Sequence, residues 1–324
     1  MKKYLLALGL SLLTVLGLFT GCSPKAETAS GSDSLKIVAT IFPEYDWVRQ
    51  VLGDRAGEVQ LTLLLDSGTD LHSYQPTAAD MLTIGECDLF LYNGGESDAW
   101  VERVLATAAN PDRRTLNVME VLGDSVLEEE VVEGMQEAED HDHAEGEAHE
   151  EEADEHVWLS LRNARTACAE IARVLGELDP DHAAEYQTNA ENYMAELEAL
   201  DGEYAALAEN AARRTVLVGD RFPFRYLMDD YGLEYYAAFS GCSAETEASF
   251  ETIAFLSGKT EELALPCILT TESPQPGVAE TIRSNTASGD QTILQLDSMQ
   301  SAGTGDNYLD IMKENLEVLR QALA

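Results

Sequence analysis

Positive charge is scarce in this chain: 20 Lys and Arg stand against 60 Asp and Glu, a formal net charge of −40. A surface of that sign repels a phosphate backbone, which excludes nucleic acid as a partner. It favours cations only weakly, because acidic surfaces also serve solubility. Beyond Phe19 no apolar run is long enough to cross a bilayer. Catalytic spacings are missing too, with no His-Glu-x-x-His helix and no Gly-x-Ser-x-Gly elbow. An exported metal-dependent hydrolase needs a general base beside an open coordination position, and Glu96 and Glu247 are poor candidates for that role. An adhesin is a further class on which the sequence is silent. No cysteines have the C-x-x-C spacing of a zinc knuckle. Cys87, Cys168, Cys242 and Cys267 allow three pairings into bridges and, equally, buried free thiols.

What is present begins with a leader. Lys2 and Lys3 precede an apolar run from Tyr4 to Phe19 that is short for a membrane span and fits a signal-peptide core. The run ends in Phe-Thr-Gly-Cys22, similar to the lipobox of bacterial lipoproteins. The expectation is a signal peptide over residues 1–21, lipidation of Cys22 and a flexible tether over residues 22–34, rich in Ser, Ala and Gly.

The remainder has the 45% hydrophobic share of a globular protein. Strands are expected over 35–41, 61–65, 87–92 and 115–118, with helical stretches between them, and this alternation implies a parallel sheet covered by helices. A second series is expected at 215–218, 235–239, 267–271 and 292–296, closed by a helix with Leu309, Met312, Leu316, Leu319 and Leu323 on one face. Between the two series, Tyr186, Ala190, Tyr193, Leu197, Leu200, Tyr204 and Leu207 recur in steps of four and three. That spacing marks one face of a long helix, with Pro180 and a capping Asp181 at its start. The fold class is therefore α/β: an N-terminal lobe over 35–178, a stiff linking helix over 179–212 and a C-terminal lobe over 213–324. Residues 128–155, dominated by Glu, Asp and His, are expected to form a solvated loop.

Three groups could carry chemistry. His72, in Gly68-Thr-Asp-Leu-His-Ser-Tyr-Gln-Pro76, follows the second strand, where open parallel sheets bind ligands. His156, in Asp154-Glu-His-Val-Trp158, is flanked by carboxylates that can fix an imidazole tautomer for a metal. His141, His143 and His149 lie in the acidic loop, so that four of the 6 histidines fall close together. The loop histidines suit an accessory metal site of modest affinity, since the loop must be ordered before it binds.

With these residues in view, the chain resembles the ZnuA-like solute-binding proteins of zinc and manganese ABC importers. The likeness rests on an ordered set of segments. Ile37-Val-Ala-Thr-Ile-Phe-Pro43 is its opening. The segment around His72 follows, with Leu71 and Gln75 where Pro and Glu are common. Next come Asn93-Gly-Gly-Glu96 with Trp100, and Asp154-Glu-His-Val-Trp158 with Glu155 in place of Pro. Gln295-Leu-Asp297-Ser with Tyr308-Leu-Asp-Ile-Met312 closes the set. The resemblance implies an extracytoplasmic, lipid-anchored monomer that holds a divalent ion between its lobes, is not an enzyme and docks on a membrane permease. It also implies His72, His156 and Asp297 as ligands. The family's remaining ligand, a His or Glu three residues before Phe224-Arg-Tyr226, falls here on Arg221, which cannot bind a cation. Asp220 is the expected substitute, with Cys242, Glu245 or water as alternatives. Zn²⁺ is the expected cargo on the strength of the His-rich loop, and Mn²⁺ is the alternative on the strength of the oxygen ligands.

Overall fold

The computed structural model describes residues 34–66, 68–106, 109–136, 152–243, 247–272 and 277–324. Cys22, His141, His143, His149 and Glu245 lie outside the described residues.

The first half builds a sheet from β1 (Lys36–Ala39), β2 (Gln60–Leu63), β3 (Leu89–Tyr92) and β4 (Arg114–Asn117), in the order β2-β1-β3-β4 and parallel throughout. Ile37, facing Leu61 on one side and Leu89 on the other, has no exposed surface. Parallel strands covered on both faces explain these short continuous apolar runs. Helices α1 (Phe42–Leu52), α2 (Ala78–Glu86), α3 (Val101–Leu105) and α4 (Val118–Leu122) alternate with the strands. The start of α2 is fixed by a reciprocal cap between Thr77 and Asp80.

Two helices follow. The amphipathic α5 (Leu161–Leu178) is capped by the Ser160 hydroxyl, which accepts from the Asn163 N–H. The long α6 (Ala183–Asn210) is about 42 Å from end to end at 1.5 Å per residue. Its buried face is Tyr186, Ala190, Tyr193, Leu197, Leu200, Tyr204 and Ala208. Leu207 is half-exposed, because a step of four from Tyr204 reaches Ala208. Asp181 does not cap the helix. It sits inside a 3₁₀ turn, Pro180–His182, and His182 takes the N-cap position without a side-chain bond.

The second half repeats the architecture with β5 (Thr215–Phe222), α7 (Arg225–Tyr231), β6 (Glu234–Ser240), α8 (Phe250–Glu262), β7 (Cys267–Thr270), α9 (Gly277–Asn285), β8 (Thr292–Gln295) and α10 (Tyr308–Ala322). Its parallel sheet has the order β6-β5-β7-β8. The α6 helix packs on α1 and α5 of the first half and on α7 and α10 of the second. One apolar cluster runs from Ile37 and Phe90 through Trp158 and Tyr204 to Leu316, so the halves share a core, and a smaller cluster lies beneath α8 and α9. Shared apolar packing of this kind resists wide hinge opening.

The acidic segment is better anchored at its ends than its composition implies. Met135 is buried, the Gln136 N–H donates to Ala238 O, and Glu130 pairs with Arg225 and Tyr235. Glu129 N donates to Glu152 O, and Asp154 N to Leu127 O. Residues 128–136 and 152–155 are loop in backbone, as expected, but are tied to the rest of the fold by these bonds. Among the described residues no helix is long and apolar enough to cross a membrane, and Cys87, Cys168, Cys242 and Cys267 form no disulfide.

Candidate metal centre

Both expected histidines arrive on short 3₁₀ turns at the mouth of the first sheet. His72 lies in the turn Leu71–Ser73, where Asp70 caps the turn by accepting from the His72 N–H at 2.9 Å and Leu71 inserts into the core. His156 precedes the turn Val157–Leu159 and is fully buried. The two Nε2 atoms face each other at 3.3 Å.

The other ring nitrogens decide what that approach means. His156 Nδ1 is 2.9 Å from Asp154 Oδ1, and the same oxygen accepts from the His156 N–H. His72 Nδ1 is 2.9 Å from Ser97 Oγ and 3.3 Å from Glu155 Oε2. The Ser97 hydroxyl donates its proton to Glu155, so the Ser97 oxygen is left to accept from His72. When both imidazoles are neutral, each Nδ1 therefore carries the proton and each Nε2 presents a bare lone pair. Two such lone pairs aimed at each other repel unless a proton or a metal ion lies between them. Tetrahedral zinc with Zn–N near 2.0–2.1 Å places two nitrogens about 3.3–3.4 Å apart, which is the separation seen.

A rigid frame supports this pair. Asn93 Nδ2 donates to Glu155 O at 2.8 Å, and Ser97 N to Glu155 Oε1 at 2.8 Å. Gly95, at φ 79°, passes so close to the Glu155 carboxylate that a Cβ there would collide with it. Burial works to raise the Glu155 carboxyl, but hydrogen bonds from His72 and then Ser97 hold it below its ordinary value. Tyr226 anchors Asp154 by donating to its carbonyl at 2.8 Å. Trp158 lies beside His156, ring centroids 5.2 Å apart, and donates Nε1–H to Ser298 O at 2.9 Å.

Among the described residues, one set of three side chains brings ligand atoms within 4.8 Å of one another: His72, His156 and Cys242. Cys242 follows the end of β6, and burial, then the carboxylates of Glu129, Glu155 and Asp154, pushes its thiol far above the usual value. Asp220 is not brought to the histidines. Its Oδ2 accepts from the hydroxyls of Thr270 and Thr271 at 2.9 and 2.8 Å and from Thr271 N, and its Oδ1 accepts from Arg221 N. Arg221 instead reaches Asp70 at 3.0 Å, tying β5 to the His72 turn. Asp297 also stands outside the set. Its Oδ1 accepts from Met299 N at 2.7 Å, and burial, then Glu272, raises its carboxyl to about 6. The loop it starts reaches the cleft, since Met299 and Gln300 line a small cavity with Leu71 and Trp158. Sequence reasoning missed Ser97, whose only signal is its place two residues after Gly95.

Asp98 offers a check on the frame. Its Oδ2 accepts from Gly94 N at 2.9 Å, and burial, with Glu155 adding to the rise, lifts its carboxyl to about 7. An unfolded Asp titrates near about 3.9, so between these values the native chain keeps a proton that the unfolded chain has lost. Stability must then fall as pH rises through that window. Asp98→Asn removes the effect. In thermal melts with chelator, its gain over wild type is expected to be absent at pH 4 and to grow toward pH 7, to at most about 4 kcal/mol. A gain independent of pH would contradict this.

Comparison with known proteins agrees with the geometry. Residues 37–322 match the family described as "ZnuA: Zinc-uptake complex component A periplasmic". The chain is 32% identical over 323 residues to the zinc-binding lipoprotein AdcA of Streptococcus pneumoniae, covering 99% of this chain and 61% of that protein. It thus spans about three fifths of the length of that longer relative. It is 30% identical over 303 residues to the high-affinity zinc uptake system protein ZnuA of Bacillus subtilis, covering 93% of this chain and 91% of that one. The solved structure of the Zn(II)-bound ZnuA-like domain of S. pneumoniae AdcA superposes with a TM-score of 0.69 at 28% identity, over 90% of this chain and 99% of that one. A match running from Ile37 to Ala322 takes in both sheets and the whole centre between them, and the chain belongs to the ZnuA family.

Proposed function

We propose that this chain is the extracytoplasmic solute-binding component of an ABC importer, capturing one Zn²⁺ ion between its lobes and delivering it to a membrane permease. The observation that carries the reading is the pair of bare Nε2 atoms 3.3 Å apart, each imidazole held in its tautomer from behind. Relatives named for zinc binding and zinc uptake support the same cargo, and the family is one of binding components, not enzymes. The protein acts as a monomer attached by a lipid on Cys22, with residues 1–21 removed as a signal peptide and residues 22–34 as the tether. Lobes over 35–178 and 213–324 meet along the linking helix of 179–212. The shared apolar core and the Arg221–Asp70 pair favour small rocking of the lobes during loading. His141, His143 and His149 act as an accessory site that raises the local zinc concentration. Asp297 supplies an oxygen ligand when the lobes settle around the ion.

Competitive zinc titration of the chain with and without residues 137–151 tests this. The deletion must stop there, because Asp154 and Glu155 hold the imidazoles. One tight zinc ion that survives the deletion is expected. Loss of tight binding with the loop would make the protein a surface metal buffer and end the cleft reading.

A further inference from the structure

The geometry points to Cys242 as the third zinc ligand, a thiolate standing in for the His or Glu of the family, and as the residue by which the site discriminates against manganese. The inference rests on the zinc reading of the histidine pair and deepens it.

Three observations converge. First, the position that should supply the ligand is disabled. Arg221 is a cation committed to Asp70, and its neighbour Asp220 already accepts from Thr270, Thr271 and the Arg221 N–H. Second, the chain delivers Cys242 to the same place from the next strand. The Cys242 N–H donates to Glu129 Oε1 at 3.2 Å, which ties it to the structured edge of the acidic segment. Gly241 lets this backbone reach the imidazole, since a Cβ there would stand 2.8 Å from His156 Cε1 and 2.9 Å from Phe222 O. Third, Sγ lies within 4.8 Å of a ring nitrogen of both histidines. Tetrahedral zinc with Zn–S near 2.3 Å sets sulfur about 3.6 Å from each nitrogen, so loading asks for a shortening of about 1 Å at most. Cys87, Cys168 and Cys267 are buried within the lobes, while Cys242 is only half-buried.

The ligand set becomes two neutral imidazoles and one thiolate, with a fourth position for water or a carboxylate. On binding, Zn²⁺ displaces the thiol proton to solvent and an S–Zn bond forms, with no change of oxidation state. Manganese prefers oxygen donors and gains little from sulfur, whereas zinc binds thiolate strongly. Replacement of a family carboxylate or imidazole by sulfur therefore moves the site away from manganese.

Cobalt(II) is the probe, with zinc and manganese as competitors, on the wild-type chain and on Cys242→Ser and His72→Ala. Wild type is expected to show a thiolate-to-cobalt charge-transfer band in the near ultraviolet, which Cys242→Ser lacks. The Ser variant should lose about a hundredfold in zinc affinity while its manganese affinity holds, so that the zinc-to-manganese ratio narrows. Cobalt bound tightly by wild type without that band would overturn the thiolate ligand and leave the histidine pair standing, and this readout does not depend on any variant folding. A band that persists in Cys242→Ser, or an unchanged metal ratio, would overturn it too. Metal binding untouched in His72→Ala would bring down the underlying zinc reading itself.

Discussion

His156→Ala is expected to abolish tight zinc binding, lowering affinity by a hundredfold or more in competition with a chelator. The magnitude follows from the ligand count. Zinc held by four protein donors is worth about 10–16 kcal/mol in small structural sites, so one donor accounts for about 3 kcal/mol, or more than a hundredfold in Kd. His156 should lie at the high end, because it is fully buried and because Asp154 fixes its Nε2 lone pair toward the ion at no cost on binding. His156→Gln keeps volume and an acceptor and is expected to lose nearly as much, since an amide oxygen is a poor zinc donor. Asp154→Asn should cost less, about tenfold to a hundredfold, as partners behind a metal-bound imidazole do. A His156→Ala protein that folds and binds zinc as tightly as wild type would remove the histidine pair from the account.

The largest effect on stability is expected at Trp158. Its side chain is 2% exposed, packs beside His156 and crosses to the second half by donating to Ser298 O. Its own carbonyl accepts from the Tyr308 hydroxyl at 2.6 Å, a further tie between the halves. Truncating a buried aromatic of this size costs about 3–5 kcal/mol through lost contacts and the cavity left behind. For a chain this long, a Tm decrease of about 5–8 °C follows. Trp158→Phe keeps most of the packing and leaves one carbonyl unpaired, for about 1–2 kcal/mol. Both should be measured by urea or thermal unfolding in chelator, because bound zinc would add its own stabilisation. A Trp158→Ala protein within about 1 kcal/mol of wild type would mean that the halves are not held by this residue.

Much of the fold was legible because burial writes itself into short apolar runs. Strands β1 and β3, covered on both faces, read as Ile37-Val-Ala39 and Leu89-Phe-Leu91, and the face of α6 was visible from Tyr186 to Tyr204. The two histidines were legible from their neighbours, a Gly/Pro turn at the end of β2 and flanking carboxylates before Val157. What failed was direction. Asp220 and Arg221 lie in a stretch of β5 where the pairing with β6 shifts between Val218 and Arg221. That irregularity turns Asp220 toward Thr270 and Thr271 and Arg221 toward Asp70. A register irregularity inside a strand leaves no periodic trace, so counting back from Phe224 could not show which side chain faces the cleft. The anchoring of the acidic segment was hidden for a related reason. Its Glu and Asp content reads as solvated, yet Glu129, Glu130, Asp154 and Glu155 each hold a specific partner. Composition does not distinguish such residues from those that face water.

The most direct test is the crystal structure of the zinc-loaded chain with anomalous scattering recorded across the zinc edge. One strong zinc peak within about 2.0–2.1 Å of Nε2 of both His72 and His156 is expected, with Asp154, Ser97 and Glu155 still behind the rings. Zinc located only elsewhere, with the two Nε2 atoms sharing no ion at full loading, would contradict the account.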